Sequence, residues 1–204
     1  QLNMDGWGSN PKTPFAFDEE ATDINRAYLK LKSQLIPYIY STAHEATFEG
    51  KPMVRAMFLE FPDEAGVYSN AAKYQYMFGD FILVAPVYND EKNKEGTPTR
   101  SGIILPDEHT VWYDMLSGDV YRGGKTYNNV KVPLWKLPVF VKEGAILPLV
   151  NPNNNPKEIN RSNMIVNYWP SVKKTEFILS EDDGYSTDYL KNEIAKAKIG
   201  RAHV

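Results

Sequence analysis

Three stretches of the chain hold residue types capable of chemistry. "SEDDG" sets Glu181, Asp182 and Asp183 side by side, and paired carboxylates serve both glycoside cleavage and cation binding. Cleavage requires carboxyls on either side of a sugar, ~5–5.5 Å apart for retention or ~6.5–9.5 Å for inversion, whereas consecutive strand residues point to opposite faces of a sheet. The stretch therefore reads as a solvated hairpin tip with Asp183-Gly184 at its turn. "MDGWG" displays Asp5 and Trp7 from a glycine-flanked turn. A carboxylate accepts hydrogen bonds from hydroxyls and an indole stacks on an apolar ring face, so the pair has the chemistry to hold a sugar. On composition alone Trp7 reads first as a packing residue and Asp5 as a turn former. The histidines, His44, His109 and His203, do not fall at ligand spacing with a third donor, so no metal is expected. "RGGK" at 122–125 lacks the context and spacing of a phosphate-binding loop and reads as a turn.

The elements that must carry these residues follow from periodicity. Between Thr22 and Phe48 the apolar residues Ile24, Ala27, Tyr28, Leu31, Leu35, Ile39, Ala43 and Ala46 recur at steps of three and four, which predicts an amphipathic helix. Thr22 or Asp23 is its expected N-cap and Gly50 its end, with Lys30, Lys32 and Gln34 on the wetter face. Pro37 lies inside the pattern and predicts a kink or break near "LIPY". "PMVRAMFLEFP" is too short and proline-bounded for a long helix, and "AAKYQYMFG" suits a short one. From Asp80 onward "DFILVAPVY", "SGIILP", "VWYDM", "DVYRGG" and "LPVFVKEGAILPL" read as short strands of an antiparallel sandwich. "NDEKNKEGTPTRSG" is expected to be a mobile surface connection. "NPNNNPKEINRSN" marks a boundary, after which "MIVNYWP" and "KTEFILSEDDGYSTDYL" supply strands of a unit too small to bury a core alone.

Composition excludes several classes. The 204 residues, 42% of them hydrophobic, suffice for one sizeable core or two small ones. A net charge of -3 from 26 acidic and 23 basic residues, without blocks of either sign, gives no footprint for nucleic acid. The chain has no cysteine, which excludes disulfides and thiolate chemistry. No apolar run reaches the ~20 residues of a membrane-spanning helix. The absence of an initiator methionine at Gln1 points to a fragment, so the sequence leaves localisation open. The last seven residues, "KIGRAHV", are what a common sequencing adapter encodes when read through in frame. Residues 198–204 are therefore expected to be foreign, and Arg201 and His203 receive no role.

The order of longer motifs adds a resemblance. "YLKLKSQLIPYIYSTAHEATFEGKPMVRAMFLEFP", "QYMFGDFILVAPV", "GIILPDEHTVWYDMLSGDVYRGG", "LPVFVKEGAILPL" and "EDDGYSTDY" together resemble the C-terminal part of glycoside hydrolase family 31, which holds α-glucosidases, α-xylosidases and related transglycosylases. The resemblance implies the end of a (β/α)8 TIM barrel followed by an antiparallel β-sandwich and the start of a second β domain. Residues 1–75 would carry the last strand, its loop and the closing helices of the catalytic barrel, 76–150 the proximal sandwich and 151–197 an incomplete distal domain. Family members commonly place Arg-x-His at the end of the last barrel strand, against the sugar. Asn3 and Asp5 match those positions here, a departure that changes charge and donor pattern and leaves the preferred sugar unassigned. Asn3, Asp5 and Trp7 are thus the expected substrate-binding residues.

The family's reaction is retaining and uses two aspartates on earlier barrel strands, for which this chain has no matching motif. The implied parent is a hydrolase of α-linked glucosides or related sugars, or a transglycosylase, and this chain alone is expected to be inactive. A carbohydrate substrate and the missing N-terminal barrel are the expected partners, without a cofactor. Two other readings stand beside it. The sandwich acts as a carbohydrate-binding module through Trp112, Tyr113, Trp135 or Trp169, or it is purely structural, those aromatics packing its sheets.

Overall fold

A computed structural model describes residue 13 and residues 15–201. The periodic stretch forms two helices, α1 (Glu19–Gln34) and α2 (Ile36–Glu49), broken at Leu35. Pro37 lies in the first turn of α2, where its missing N–H is not needed. Gly50, at φ +73°, ends α2 in the left-handed conformation expected of a C-terminal glycine. The N-cap is neither Thr22 nor Asp23. Asp18 accepts the Ala21 N–H at 2.7 Å, and Glu19 and Glu20 occupy the first turn, where the helix dipole favours negative charge. That acidic run starts the helix one turn before the apolar period does. No residue of α1 is buried, and Leu29 is 44% exposed.

Beyond α2 the described chain is short strands joined by turns and loops, and every strand pair is antiparallel. Beyond α2 come β1 (Val54–Ala56), the single-turn helix α3 (Met57–Glu60), β2 (Tyr76–Phe78), β3 (Ile82–Val84), β4 (Thr99–Arg100), β5 (Ile103–Leu105), β6 (Val111–Asp114), β7 (Val120–Arg122), β8 (Lys125–Tyr127), β9 (Val130–Lys131), β10 (Val139–Lys142) and β11 (Ile146–Leu149). After the asparagine-rich stretch follow β12 (Ile165–Tyr168), β13 (Thr175–Glu181) and β14 (Ala195–Arg201). One sheet runs β1-β2-β3-β10-β6-β7, and β4-β9, β5-β8, β11-β12 and β13-β14 form two-stranded ladders. The expected short helix at "AAKYQYMFG" is only a 3₁₀ turn, Ala72–Tyr74, that leads into β2.

The large sheet is buried on both faces. Met77, Leu83, Phe140 and Trp112 join Met57, Ile103 and Leu105 in one cluster, while Ile82, Val84, Val139 and Val141 pack with Leu35, Tyr38 and Leu147 in a second. Two buried faces explain why "FILV" and "VFV" are continuous apolar runs rather than alternating ones. The last strands dock on α2: the Phe177 ring stacks on Tyr38 at 5.6 Å and the Ser180 N–H donates to Ser41 Oγ at 2.9 Å. The stretch before them is exposed, and Asn153, Asn155 and Asn160 each accept the backbone N–H two residues on.

Two sequence expectations change. "NDEKNKEGTPTRSG" begins as a surface turn, closed by Asn93 Oδ1 on the Glu95 and Thr97 N–H groups, but ends in fully buried Thr99 and Arg100. The Arg100 guanidinium bonds the Pro86 and Ser101 carbonyls and packs on the Tyr88 ring. The link between β13 and β14 is not a two-residue hairpin. Residues 182–194 form it, and Asp183 instead closes a local turn by accepting the Tyr185 and Ser186 N–H groups.

α2 is fixed to the sheet by two adjacent devices. The Tyr38 hydroxyl donates to Phe78 O at 2.8 Å and accepts from the Phe81 N–H at 3.3 Å, closing over Gly79 at φ +61°. A Cβ on Gly79 would lie 2.2 Å from that hydroxyl. Beside it Arg55, 1% exposed, reaches Glu60 at 3.1 Å, Asp80 at 2.5 Å and Glu45 at 3.4 Å, and donates Nε to Pro52 O at 2.6 Å. Lys51 meets Asp80 at 2.6 Å. Burial works against the Asp80 carboxylate, but hydrogen bonds from Arg55 and Lys51 outweigh it and hold its pKa below the ordinary value. Burial and the neighbouring Asp80 raise that of Glu45.

Gly79→Ala should cost at least about 2 kcal/mol in urea unfolding, from backbone strain plus overlap with Tyr38. Combining it with Tyr38→Phe should cost less than the sum of the two single changes, because the phenylalanine removes the nearest clashing atom. Arg55→Ala should cost about 3 kcal/mol, because it removes the buried cation, strands partly buried Glu60 and leaves Glu45 and Asp80 only Lys51, against less than about 1 kcal/mol for the half-exposed Lys51→Ala. Asp80 binds its proton less readily in the folded chain than in the unfolded one. Its stabilisation is therefore in place above the unfolded pKa of about 4 and fades as pH falls toward the depressed folded value. Glu45 acts oppositely, withdrawing stability as pH rises from its ordinary pKa to the raised one. Thermal melts of Asp80→Asn should accordingly show a lower midpoint at neutral pH and a flatter fall below about pH 4.

Candidate functional site

Asn3, Asp5 and Trp7 lie outside the described residues. Phe15 and Phe17 are 73% and 67% exposed, and beyond them Asp18 starts α1. A cleft of about 630 Å³ runs along this helix, with Phe15, Arg26, Leu29 and Lys30 on one side and Asn153 and Asn154 on the other. The Tyr28 hydroxyl donates to Trp135 O at 2.7 Å and accepts from the Leu137 N–H at 2.9 Å, tying α1 to the turn before β10. Leu134 in that turn is 72% exposed. α1 and the 134–135 turn thus present uncovered apolar side chains from two elements that are bonded together.

The other residues singled out by type are brought to structural work. Asp182 accepts from the Tyr40 hydroxyl at 2.5 Å and from the Gly184 N–H at 3.0 Å, so this carboxylate fastens its loop to α2. Burial, then the bond to Asp182, push the Tyr40 hydroxyl up to about 12. Asp183 is committed to its own turn, whose N–H groups hold its pKa below the ordinary value. Two of the three depart from the solvated tip read in the sequence: Glu181 is the half-buried last residue of β13, and Asp182 lies within reach of Tyr40. His109 sits in the turn between β5 and β6, its N–H on Asp107 Oδ1 at 3.0 Å. His44 stacks on Phe48 in α2 at 4.5 Å. "RGGK" is the turn between β7 and β8, where a Cβ on Gly123 would meet Asp107 O at 2.0 Å.

Of the four aromatics considered as a binding face, Trp112 is fully buried with its Nε1 donating to Pro106 O at 3.0 Å. Trp169 packs on the second cluster and Tyr113 is half-buried, whereas Trp135 is 48% exposed. Sequence reasoning missed Arg55 and Arg100, both buried. The available signal was a lone arginine inside the apolar run "MVRAMF".

Residues 50–147 match the glycosyl hydrolase family 31 C-terminal domain. The alpha-xylosidase of Saccharolobus solfataricus is 33% identical over 183 residues, covering 90% of this chain and 24% of that protein. Alpha-xylosidase XylQ of Lactiplantibacillus pentosus is 41% identical over 140 residues, covering 67% of this chain and 17% of its own length. The structure of a Flavobacterium johnsoniae GH31 dextranase complexed with glucose matches with a TM-score of 0.80 at 32% identity, over 95% of this chain and 23% of the dextranase. This chain therefore spans a quarter or less of the length of these relatives. With the antiparallel fold and this similarity in agreement, the chain belongs to glycoside hydrolase family 31 and corresponds to the C-terminal part of its members.

Proposed function

We propose that this chain is the C-terminal part of a retaining α-glycosidase acting on α-linked glucosides or related sugars. The observation that carries the reading is the 33% identity to an alpha-xylosidase across 90% of the chain. Residues 1–75 supply the last strand, its loop and the closing helices of a catalytic barrel, 76–150 the proximal sandwich and 151–197 a distal β unit, with 198–204 foreign to the protein. Asn3, Asp5 and Trp7 form a wall of the sugar site, where an amide, a carboxylate and an indole offer hydrogen bonds and a stacking face. The carboxylate that captures the sugar and the carboxyl that protonates the leaving group belong to the rest of the barrel. The uncovered side of α1 supports this division: a helix with no buried residue, flanked by Phe15 and Phe17, is the edge of an interface that the remaining barrel strands would close.

The alternative of a carbohydrate-binding sandwich is disfavoured by the packing of its aromatics. Trp112 and Trp169 face the core, and exposed Trp135 has its backbone tied to α1. A purely structural sandwich is compatible with the leading reading.

The test is turnover of 4-nitrophenyl α-glucoside and α-xyloside by this chain and by the uninterrupted parent. The chain alone should release no nitrophenol and the parent should; turnover by the chain alone would overturn the upstream placement of the catalytic carboxylates. In the parent, Asp5→Ala should lower kcat/KM on the preferred sugar about 10- to 100-fold, the scale of a charged hydrogen bond, with the thermal midpoint unchanged.

A further inference from the structure

The large sheet ends at β7, and an edge strand offers its unpaired N–H and C=O groups to any further strand. Which groups point outward follows from the bonds on either side of β7. Asp119 O accepts the Asp114 N–H and the Gly123 N–H donates to Thr110 O, both at 2.8 Å, so the odd-numbered residues here face β6. By alternation, Val120 and Arg122 turn their main-chain groups away from the sheet. Val120 is 65% exposed.

The outward groups of Arg122 are already taken. The Tyr127 hydroxyl accepts the Arg122 N–H at 3.0 Å and donates to Arg122 O at 2.8 Å, so one side-chain oxygen occupies both groups that a further strand would need at that residue. Its position is fixed from elsewhere in the fold. Tyr127 lies on β8, which leaves the large sheet to pair with β5, opposite Ile103. Its ring meets Tyr121 edge-on at 5.0 Å, and Tyr121 meets Phe140 of the core in the same way at 5.2 Å. The hydroxyl is thus held over the edge by packing that a phenylalanine would keep.

Without that oxygen the strand is complementary to itself. Antiparallel pairing of two copies about a two-fold axis at Tyr121 sets Val120 of each copy opposite Arg122 of the other, and both pairs are of the hydrogen-bonded kind. The two arginines do not stand opposite each other, so charge does not oppose the register. We infer that Tyr127 is an edge cap, and that β7 beneath it is a latent surface for pairing with a second copy of this chain.

Hydrogen exchange and sedimentation of the full chain test the cap. Relative to its intrinsic rate, the Arg122 amide should exchange about five- to tenfold more slowly than that of Val120, the scale of one hydrogen bond, and Tyr127→Phe should abolish the difference. This comparison begins with the unaltered chain, so equal protection of the two amides there would overturn the cap whether or not the variant folds. Tyr127→Phe should also make the weight-average mass rise with protein concentration more steeply than in the unaltered chain. Adding Val120→Pro, which removes an outward N–H from the edge, should reverse that rise. A Tyr127→Phe chain that associates no more than the unaltered one would overturn the latent pairing, as would association that survives Val120→Pro.

Discussion

A single buried guanidinium holds the joints of this molecule together. Arg55 comes from β1, Glu45 from α2, Glu60 from α3 and Asp80 from the turn before β3, so one planar cation fixes four elements in place. Arg55 is the one fully buried member, so its own loss is the costliest, whereas the partly exposed carboxylates share it among themselves and two of them also meet Lys51. Tyr38 reinforces it from the next turn of backbone, its hydroxyl closing both the Phe78 carbonyl and the Phe81 amide. The two apolar clusters lie on either side of the sheet that these contacts anchor, and the last strands can stack on α2 because α2 is already immobilised against that sheet. Polar geometry sets the positions here, and hydrophobic burial fills the space between them.

Much of the fold was legible from local patterns. The three-and-four period foretold the helices and Pro37 their break; apolar runs between glycine and proline foretold β3, β5, β6, β7, β10 and β11. The order of long motifs sufficed for the family. What local pattern could not carry was pairing between distant residues. Nothing around Arg55 says that carboxylates from positions 45, 60 and 80 converge on it, and nothing in "TPTRSG" says that Arg100 turns inward to carbonyls and a tyrosine ring. Asp183-Gly184 has the composition of a hairpin turn, yet Tyr40 on a helix more than a hundred residues earlier captures Asp182 and the connection widens. The helix start was misplaced because capping depends on where charge gathers, at Asp18 to Glu20, and not on where the apolar period begins. Of the candidate site, Asn3, Asp5 and Trp7 were named from residue type and resemblance alone, and they lie outside the described residues.

The strand order also constrains how the molecule reaches its folded state. β10 lies between β3 and β6, so the hydrogen-bonding edge of Ile82–Val84 stays open until Val139–Val141 arrives to cover it. Because the intervening chain must be gathered before that ladder repays its closure entropy, the large sheet is a late, high-contact-order assembly. Until then β3 presents an apolar, uncharged strand edge of the kind that recruits other copies. Production of this protein should therefore be limited less by the stability of the finished sheet than by the lifetime of that open edge, and slow synthesis at low temperature or dilute refolding would favour the monomer for kinetic reasons alone.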